Sequence, residues 1–173
     1  MAEQRRTDLI VEELRRLKAA GKADLVEEQK ETYVIFSLHD GLYAFEGAAV
    51  TEILLPLEVF PIPGAPPAVP GVINNRGDIE AVVNLHGILG LPDSQGAAGG
   101  RIAMAQKSGV RAGILVDSVV DVVDLPPSSI KPPLATLAAA IGDLVAGETT
   151  YRGRSVVLLD VGRILDTLRA HDS

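Results

Sequence analysis

The fold of this chain is decided by one stretch, Pro70-Gly71-Val72-Ile73-Asn74-Asn75-Arg76-Gly77-Asp78-Ile79-Glu80-Ala81-Val82-Val83-Asn84-Leu85-His86-Gly87-Ile88-Leu89-Gly90-Leu91. It sets two apolar strands around a charged turn at Arg76-Gly77-Asp78 and then begins a short helix. The same pattern returns 76 positions later, where Arg152-Gly153 matches Arg76-Gly77 and Gly147 matches Gly71. A twofold internal repeat is therefore predicted.

Each half of the chain has the same order of predicted elements before this stretch. A hairpin at residues 33–45 or 101–116 is followed by an apolar run at 50–55 or 119–123 and then by a proline-rich connection. In the first hairpin we expect Asp40-Gly41 to supply the positive φ of a tight turn. Many short strands with Gly and Pro turns predict an all-β fold of two small barrels, with helices only at the termini. The N-terminal helix is expected from Thr7 to Ala20, with Ile10, Leu14 and Leu17 packing on the barrel or on a partner.

Composition excludes several classes of protein. The formal net charge is −7 and aromatic residues make up 3%, which argues against a phosphate-binding surface or a base-stacking platform. The chain has no cysteine, so a disulfide framework and a thiolate metal site are excluded. It lacks an apolar run of membrane-spanning length and a signal peptide, which predicts a cytoplasmic location.

The sequence offers few groups for catalysis. His39, His86 and His171 have no metal-binding spacing, and each is expected to be a surface histidine. The glycines at 96–100 are not followed by the Gly-Lys-Ser/Thr of a phosphate-binding loop, and no Gly-x-Ser-x-Gly nucleophile motif occurs. We therefore expect no enzyme, no metal and no cofactor, and a small-molecule-binding or catalytic barrel is the less favoured alternative.

Several separated motifs resemble the CheW family of chemotaxis coupling proteins. They are Ile62-Pro63-x-Ala65-Pro66, then Gly71-Val72-Ile73-Asn74-x-Arg76-Gly77-x-Ile79, and later Gly113-Ile114-Leu115-Val116-Asp117-x-Val119-x-Asp121-Val122. The resemblance implies two intertwined five-stranded barrels in a CheW-like domain at 32–168, after a helical extension at 1–31. The first barrel would occupy 32–92, the second 100–160, and a final helix 160–171.

The resemblance also implies a signalling scaffold in the two-component system of chemotaxis. Such an adaptor connects the cytoplasmic tip of a chemoreceptor to the regulatory domain of a CheA-type histidine kinase, within receptor arrays at the inner membrane. By family position, the receptor-facing groove would be lined by Val50, Arg76, Val119 and Val122, with Glu52 beside it. The edge strands and the region of Gly71 in the first barrel are the expected kinase contact.

The chain departs from the family pattern near the Arg76 turn. Asn75 stands where leucine is usual, Glu80 where proline is common, and Asn84-Leu85-His86 where Asp-Leu-Arg is usual. These departures leave open a second possibility, an adaptor for a non-standard chemosensory pathway that controls motility or gene regulation.

Overall fold

The computed structural model describes residues 8–12, 29–92, 100–135 and 141–169. Residues 8–12 form a helical turn whose side chains are all exposed. The remaining regular structure consists of strands β1 (Glu31–Leu38), β2 (Gly41–Glu46), β3 (Val50–Leu54), β4 (Gly71–Asn75), β5 (Asp78–Asn84), β6 (Arg101–Lys107), β7 (Val110–Val116), β8 (Ser118–Leu125), β9 (Val145–Tyr151) and β10 (Arg154–Leu159), and of helices α1 (Leu85–Leu89) and α2 (Val161–Arg169).

The strands form two five-stranded sheets that exchange strands between the two halves of the chain. Sheet A has the order β8-β1-β2-β10-β9, and sheet B has the order β3-β6-β7-β5-β4. Adding five to each strand number of sheet B, and counting on from β10 to β1, gives the order of sheet A. The predicted repeat is therefore an exchanged one, in which each sheet combines two strands from one half with three from the other.

Short connections explain the exchange. Strand β2 is joined to β3 by the 3₁₀ turn Gly47–Ala49, and β7 is joined to β8 by Asp117 alone. The one-residue link at Asp117 is shorter than a hairpin loop, so the chain crosses there to the other sheet, and the 3₁₀ turn makes the equivalent crossing between β2 and β3. The ranges 32–92 and 100–160 consequently describe the sequence repeat, whereas each sheet draws strands from both ranges.

The buried apolar side chains form three clusters. Successive residues of a central strand point to opposite faces and so belong to different clusters. A large apolar cluster between the sheets includes Phe36 and Phe45 from sheet A and Ile114 from sheet B. A smaller cluster inside sheet A contains Tyr33, Ile35, Leu42, Ala44, Val156 and Leu158, and another inside sheet B contains Ile73, Val82, Ile102 and Met104. Because the central strands bury both faces, they appear in the sequence as continuous apolar runs.

One isolated bridge in each sheet joins the proline-rich connection to an edge strand, β4 or β9. In sheet B, Phe60 and Val72 exchange two backbone hydrogen bonds of 2.8 and 2.9 Å. In sheet A, Lys131 and Glu148 exchange two backbone hydrogen bonds of 2.8 Å. Each proline-rich connection thus pairs at one point with the edge strand that follows it.

The terminal helices and the turns were predicted with mixed success. Helix α2 begins after Asp160, whose Oδ1 accepts the Arg163 N–H at 3.2 Å, so the final helix is confirmed. Leu14 and Leu17 of the expected N-terminal helix lie outside the described residues, while Ile10 is exposed. The turn prediction at Asp40-Gly41 is wrong, because the positive φ falls on His39, at 53°.

Candidate functional site

The Arg76 hairpin presents a guanidinium to solvent from a tight turn. Arg76 and Gly77 have positive φ values of 54° and 93°, and the Asn74 side chain accepts the Gly77 N–H at 2.8 Å. Two consecutive positive φ values suit the twist of a two-residue hairpin, and asparagine closes the turn through its own side chain. The Arg76 side chain is 81% exposed. The sequence Asn-x-Arg-Gly therefore places one cation at the tip of β4 and β5.

Glu52 lies behind Arg76 and makes one hydrogen bond and two ion pairs. The Arg76 Nη2 atom is 3.7 Å from Glu52 Oε2. Asn75 Nδ2 donates a 2.7 Å hydrogen bond to Oε1, and Arg111 Nη2 lies 3.5 Å from the same oxygen. The carboxylate is mostly covered and Asn75 is buried, so the inner two donors are shielded from water more than Arg76 is.

A second carboxylate extends this charged cluster inward. Arg111 Nε lies 3.0 Å from Glu80 Oε1, although its N–H is not aligned on that oxygen as a hydrogen bond. Glu80, Arg111, Glu52 and Arg76 thus form a chain of alternating charge that is neutral as a whole. The sequence predicts roles for Glu52 and Arg76 and shows Asn75 and Glu80 as departures from the family pattern, but Arg111 carries no motif and was not predicted.

The three predicted valines occupy different environments. Val50 and Val119 are half-buried and pack against the cluster between the sheets. Both stand at the start of an edge strand, one on β3 and one on β8, next to a register shift. Val122 is 57% exposed on β8. Its counterpart on β3 is Ile53, also exposed, which could have been identified by aligning the two apolar runs.

Gly71 is buried and has a structural explanation. A Cβ atom at this position would lie 2.1 Å from the backbone oxygen of Phe60, which crosses the start of β4. Gly71 itself therefore offers no side-chain surface to a partner. Next to this crossing lies an exposed apolar strip, the β3–β4 strip, formed by Leu55, Leu57, Phe60 and Ile62.

The other sheet carries a counterpart of the Glu52 and Arg76 pair. The Tyr151 hydroxyl donates a 2.6 Å hydrogen bond to Asp121 Oδ2, and the Arg152 guanidinium lies 5.2 Å from the centre of the Tyr151 ring. The Tyr151 hydroxyl lowers the pKa of Asp121, with smaller contributions from the Val122 N–H and from Arg152. Both barrels therefore brace an exposed hairpin with a carboxylate on the neighbouring edge strand.

The two histidines within the described residues each lie beside an aspartate. His39 is exposed in a turn, 3.3 Å from Asp40, and His171 lies outside the described residues. The expectation that His86 lies on the surface is wrong. Strands β5 and β7 run parallel and end side by side, so α1 directs the His86 ring inward, where Nε2 lies 3.1 Å from Asp117 Oδ1.

Two further observations concern only the described part of the chain. No three of its His, Asp or Glu side chains are grouped in a way that could hold a metal ion. No helix in the same residues has the length and apolar character needed to span a bilayer.

Comparison with known proteins places the chain in a family. Residues 32–169 match the model of the CheW-like domain. The chemotaxis protein CheW of Thermotoga maritima is 30% identical over 146 residues, which cover 83% of this chain and 94% of that protein. CheW of Treponema pallidum is 23% identical and covers 82% of this chain and 86% of that protein.

A solved structure agrees with this match. The scaffolding protein TtCheW from Thermoanaerobacter tengcongensis superimposes with a TM-score of 0.70 at 26% identity, covering 76% of this chain and 85% of that one. The fold, the repeat and the family motifs all lie within the matched residues. This chain belongs to the CheW family of chemotaxis proteins.

Proposed function

We propose that this protein is a non-catalytic scaffold that couples the helical tip of a chemoreceptor to a CheA-type histidine kinase. Its relatives carry the name chemotaxis protein CheW, and the solved neighbour is titled a scaffolding protein. The observation that carries the proposal is the exposed Arg76 guanidinium, fixed on a tight turn and backed by Glu52. In this role the protein would work on the cytoplasmic side of the membrane that holds the receptors.

The chemistry of Arg76 suits a helical partner with carboxylates. A guanidinium binds a carboxylate through two parallel hydrogen bonds, which fixes orientation as well as adding affinity. Exposed apolar side chains, Ile53 on β3 and Val122 on β8, are available for the apolar stripe of such a helix. We assign the receptor-facing role to these groups together with Val50 and Val119.

The β3–β4 strip suits a second partner. Leu55, Phe60 and Ile62 are 68%, 49% and 45% exposed, and they follow one another along the connection that crosses Gly71. Neighbouring exposed apolar side chains of this kind mark protein interaction surfaces. We assign this strip to the regulatory domain of the kinase, which leaves the Arg76 hairpin to the receptor.

Charge reversal at Arg76 tests the receptor assignment. We expect Arg76→Asp to weaken binding to a receptor-tip fragment by about tenfold or more, because a like-charge contact replaces an attractive one. Calorimetric titration would measure the affinity, and thermal unfolding would check that the variant folds.

The repeat supplies a matched control for this experiment. Arg152→Asp makes the same change at the equivalent hairpin of the other barrel, and we expect it to leave receptor affinity unchanged. Binding of the kinase regulatory domain should also survive Arg76→Asp. A folded Arg76→Asp protein with the affinity of the unmodified chain would refute the receptor assignment.

A further inference from the structure

The inner side of the Arg76 site differs from the equivalent place in the other barrel. By the repeat, Arg111 and Glu80 occupy the positions of Leu42 and Val156, which pair directly across β2 and β10 in sheet A. Leu42 and Val156 are buried in the apolar cluster of sheet A. Sheet B thus has an ion pair where sheet A has an apolar pair.

This ion pair is connected to the docking site through Glu52. Arg111 and Asn75 both approach Oε1 of Glu52, at 3.5 and 2.7 Å, whereas Arg76 approaches Oε2 at 3.7 Å. The inner donors and the outer donor therefore use different oxygens of one carboxylate. Arg76 can move without breaking either inner contact.

We propose that Asn75 and Arg111 are positioning residues for Arg76, a role that rests on the proposed docking function. They fix the Glu52 carboxylate, which in turn holds the Arg76 guanidinium in place for an acidic partner. They also keep Glu52 compensated when Arg76 turns to a partner carboxylate. If Arg76 were the sole partner of Glu52, its movement toward a partner carboxylate would leave a partly buried carboxylate uncompensated. Such a charge is unfavourable, so the movement would be opposed.

Glu80 completes the arrangement by balancing Arg111. Without Glu80, the guanidinium of Arg111 would be a partly buried cation drawn more strongly to Glu52. With Glu80 at 3.0 Å, Arg111 is shared between two carboxylates and stays anchored between β5 and β7. The two departures from the family pattern at Asn75 and Glu80 thus serve one network together with Arg111.

The test is a double-mutant cycle on the full chain. Two variants remove the inner contacts: Asn75→Leu, and the pair Arg111→Leu with Glu80→Val, which copies the apolar pair of sheet A and so keeps the interior filled. Affinity for the receptor-tip fragment is measured with Arg76 present and in an Arg76→Ala background. We expect a loss of about threefold to tenfold with Arg76 present, and less than about twofold without it.

The other barrel again supplies the control. Thr149→Val removes a side-chain hydrogen bond of that barrel, to the Ser129 backbone oxygen, outside the groups assigned to the receptor, and we expect no change in receptor affinity. Equal losses in both backgrounds, or no loss with Arg76 present, would overturn the positioning role.

A second measurement needs no partner. Nuclear relaxation of the Arg76 side-chain Nε group in the free protein should report greater mobility in Asn75→Leu than in the unmodified chain. Unchanged mobility would overturn the positioning role even if the receptor assignment holds. Loss of the receptor assignment alone would instead appear as an Arg76→Ala variant with unaltered affinity.

Discussion

At the scale of single residues, Gly71 is fixed by the backbone that crosses it. An added Cβ atom would lie 2.1 Å from the Phe60 oxygen, a rigid neighbour that also forms the bridge to Val72. We expect Gly71→Ala to lower the free energy of unfolding by about 2 to 3 kcal/mol, because the crossing segment must shift. Urea unfolding monitored by circular dichroism would measure the loss.

Gly87 in α1 provides the matched control. A Cβ atom there meets only the Asn84 side chain, at an ordinary 3.8 Å. Alanine also favours the helix, so Gly87→Ala should be neutral or stabilising by up to about 1 kcal/mol. Equal stability of the two variants would contradict the prediction. It would show that the Phe60 backbone can shift away from a Cβ atom at position 71 at little cost in free energy.

The three tyrosines give a prediction for alkaline pH. Burial raises the pKa of Tyr33 to about 12, with Glu31 adding to the effect, and burial also raises that of Tyr43. The hydrogen bond to Asp121 raises the pKa of Tyr151. The folded chain therefore keeps these protons at pH values where the unfolded chain releases them. Stability should be fully present below pH 10, the ordinary tyrosine pKa, and fall as pH rises above it.

Absorbance at an ultraviolet wavelength specific for tyrosinate would measure this titration. We expect ionisation of the folded chain to start later than that of the chain in urea, and Tyr33→Phe to remove the most alkaline step. A folded chain that titrates like the unfolded one would contradict the hydrogen bonding of Tyr151 and the burial of Tyr33 and Tyr43.

Single residues could be identified from the sequence, but their contacts could not. Arg76 lies in a family motif, and both Arg76 and Glu52 were predicted as site residues by family position. Their pairing with each other and with Asn75 joins β3 to the end of β4, 23 residues further along the chain, and no local pattern encodes such a contact. Arg111 lies in a β-strand among apolar residues and carries no motif, so its part in the site follows only from the strand order. His86 was predicted to lie on the surface, and this was wrong. Its inward direction depends on the pairing of β5 with β7, which the sequence around His86 does not encode.

At the scale of elements, strand positions were predictable and strand partners were not. The two hairpins of each half could be predicted from their tight turns and apolar runs, because these features depend on residues close together in the chain. The exchange between sheets depends on which strands meet across the core. In the structure Asp117 is the sole residue between β7 and β8, whereas in the sequence two residues, Asp117 and Ser118, separate the apolar runs, a length that also suits a hairpin.

The two parts of each repeat also align at different spacings. The Arg-Gly hairpins are 76 residues apart, whereas Val50 and Val119 at the start of β3 and β8 are 69 apart. The seven-residue difference falls between the start of the edge strand and the hairpin, partly in the connection and partly in the longer strands β8 and β9. Aligning the chain with itself at a spacing of 76 therefore matches the Arg-Gly hairpins but not the edge strands. Ile53 and Val122, which are 69 residues apart, are not matched at that spacing.

At the scale of the whole molecule, the exchange makes each half dependent on the other. Residues 1–92 would bring only β1 and β2 to sheet A, and an isolated two-stranded hairpin is marginal in water. In sheet B the same residues supply β3, β4 and β5, yet β3 is separated from β5 by β6 and β7. The large cluster between the sheets also takes side chains from both halves. Neither half can bury its apolar surface alone.

This dependence leads to a test by fragment complementation. We expect residues 1–92 and residues 93–173, prepared separately, to lack a cooperative thermal transition, and an equimolar mixture to recover one along with receptor-tip binding. The intact chain carrying a protease site within residues 93–99 is the control, since its two pieces should remain associated after cleavage. A cooperative transition of residues 1–92 alone would mean that these strands can close a barrel without exchange. Each half could then fold by itself. The exchange of strands between the sheets would be a preferred arrangement and would not be required for folding.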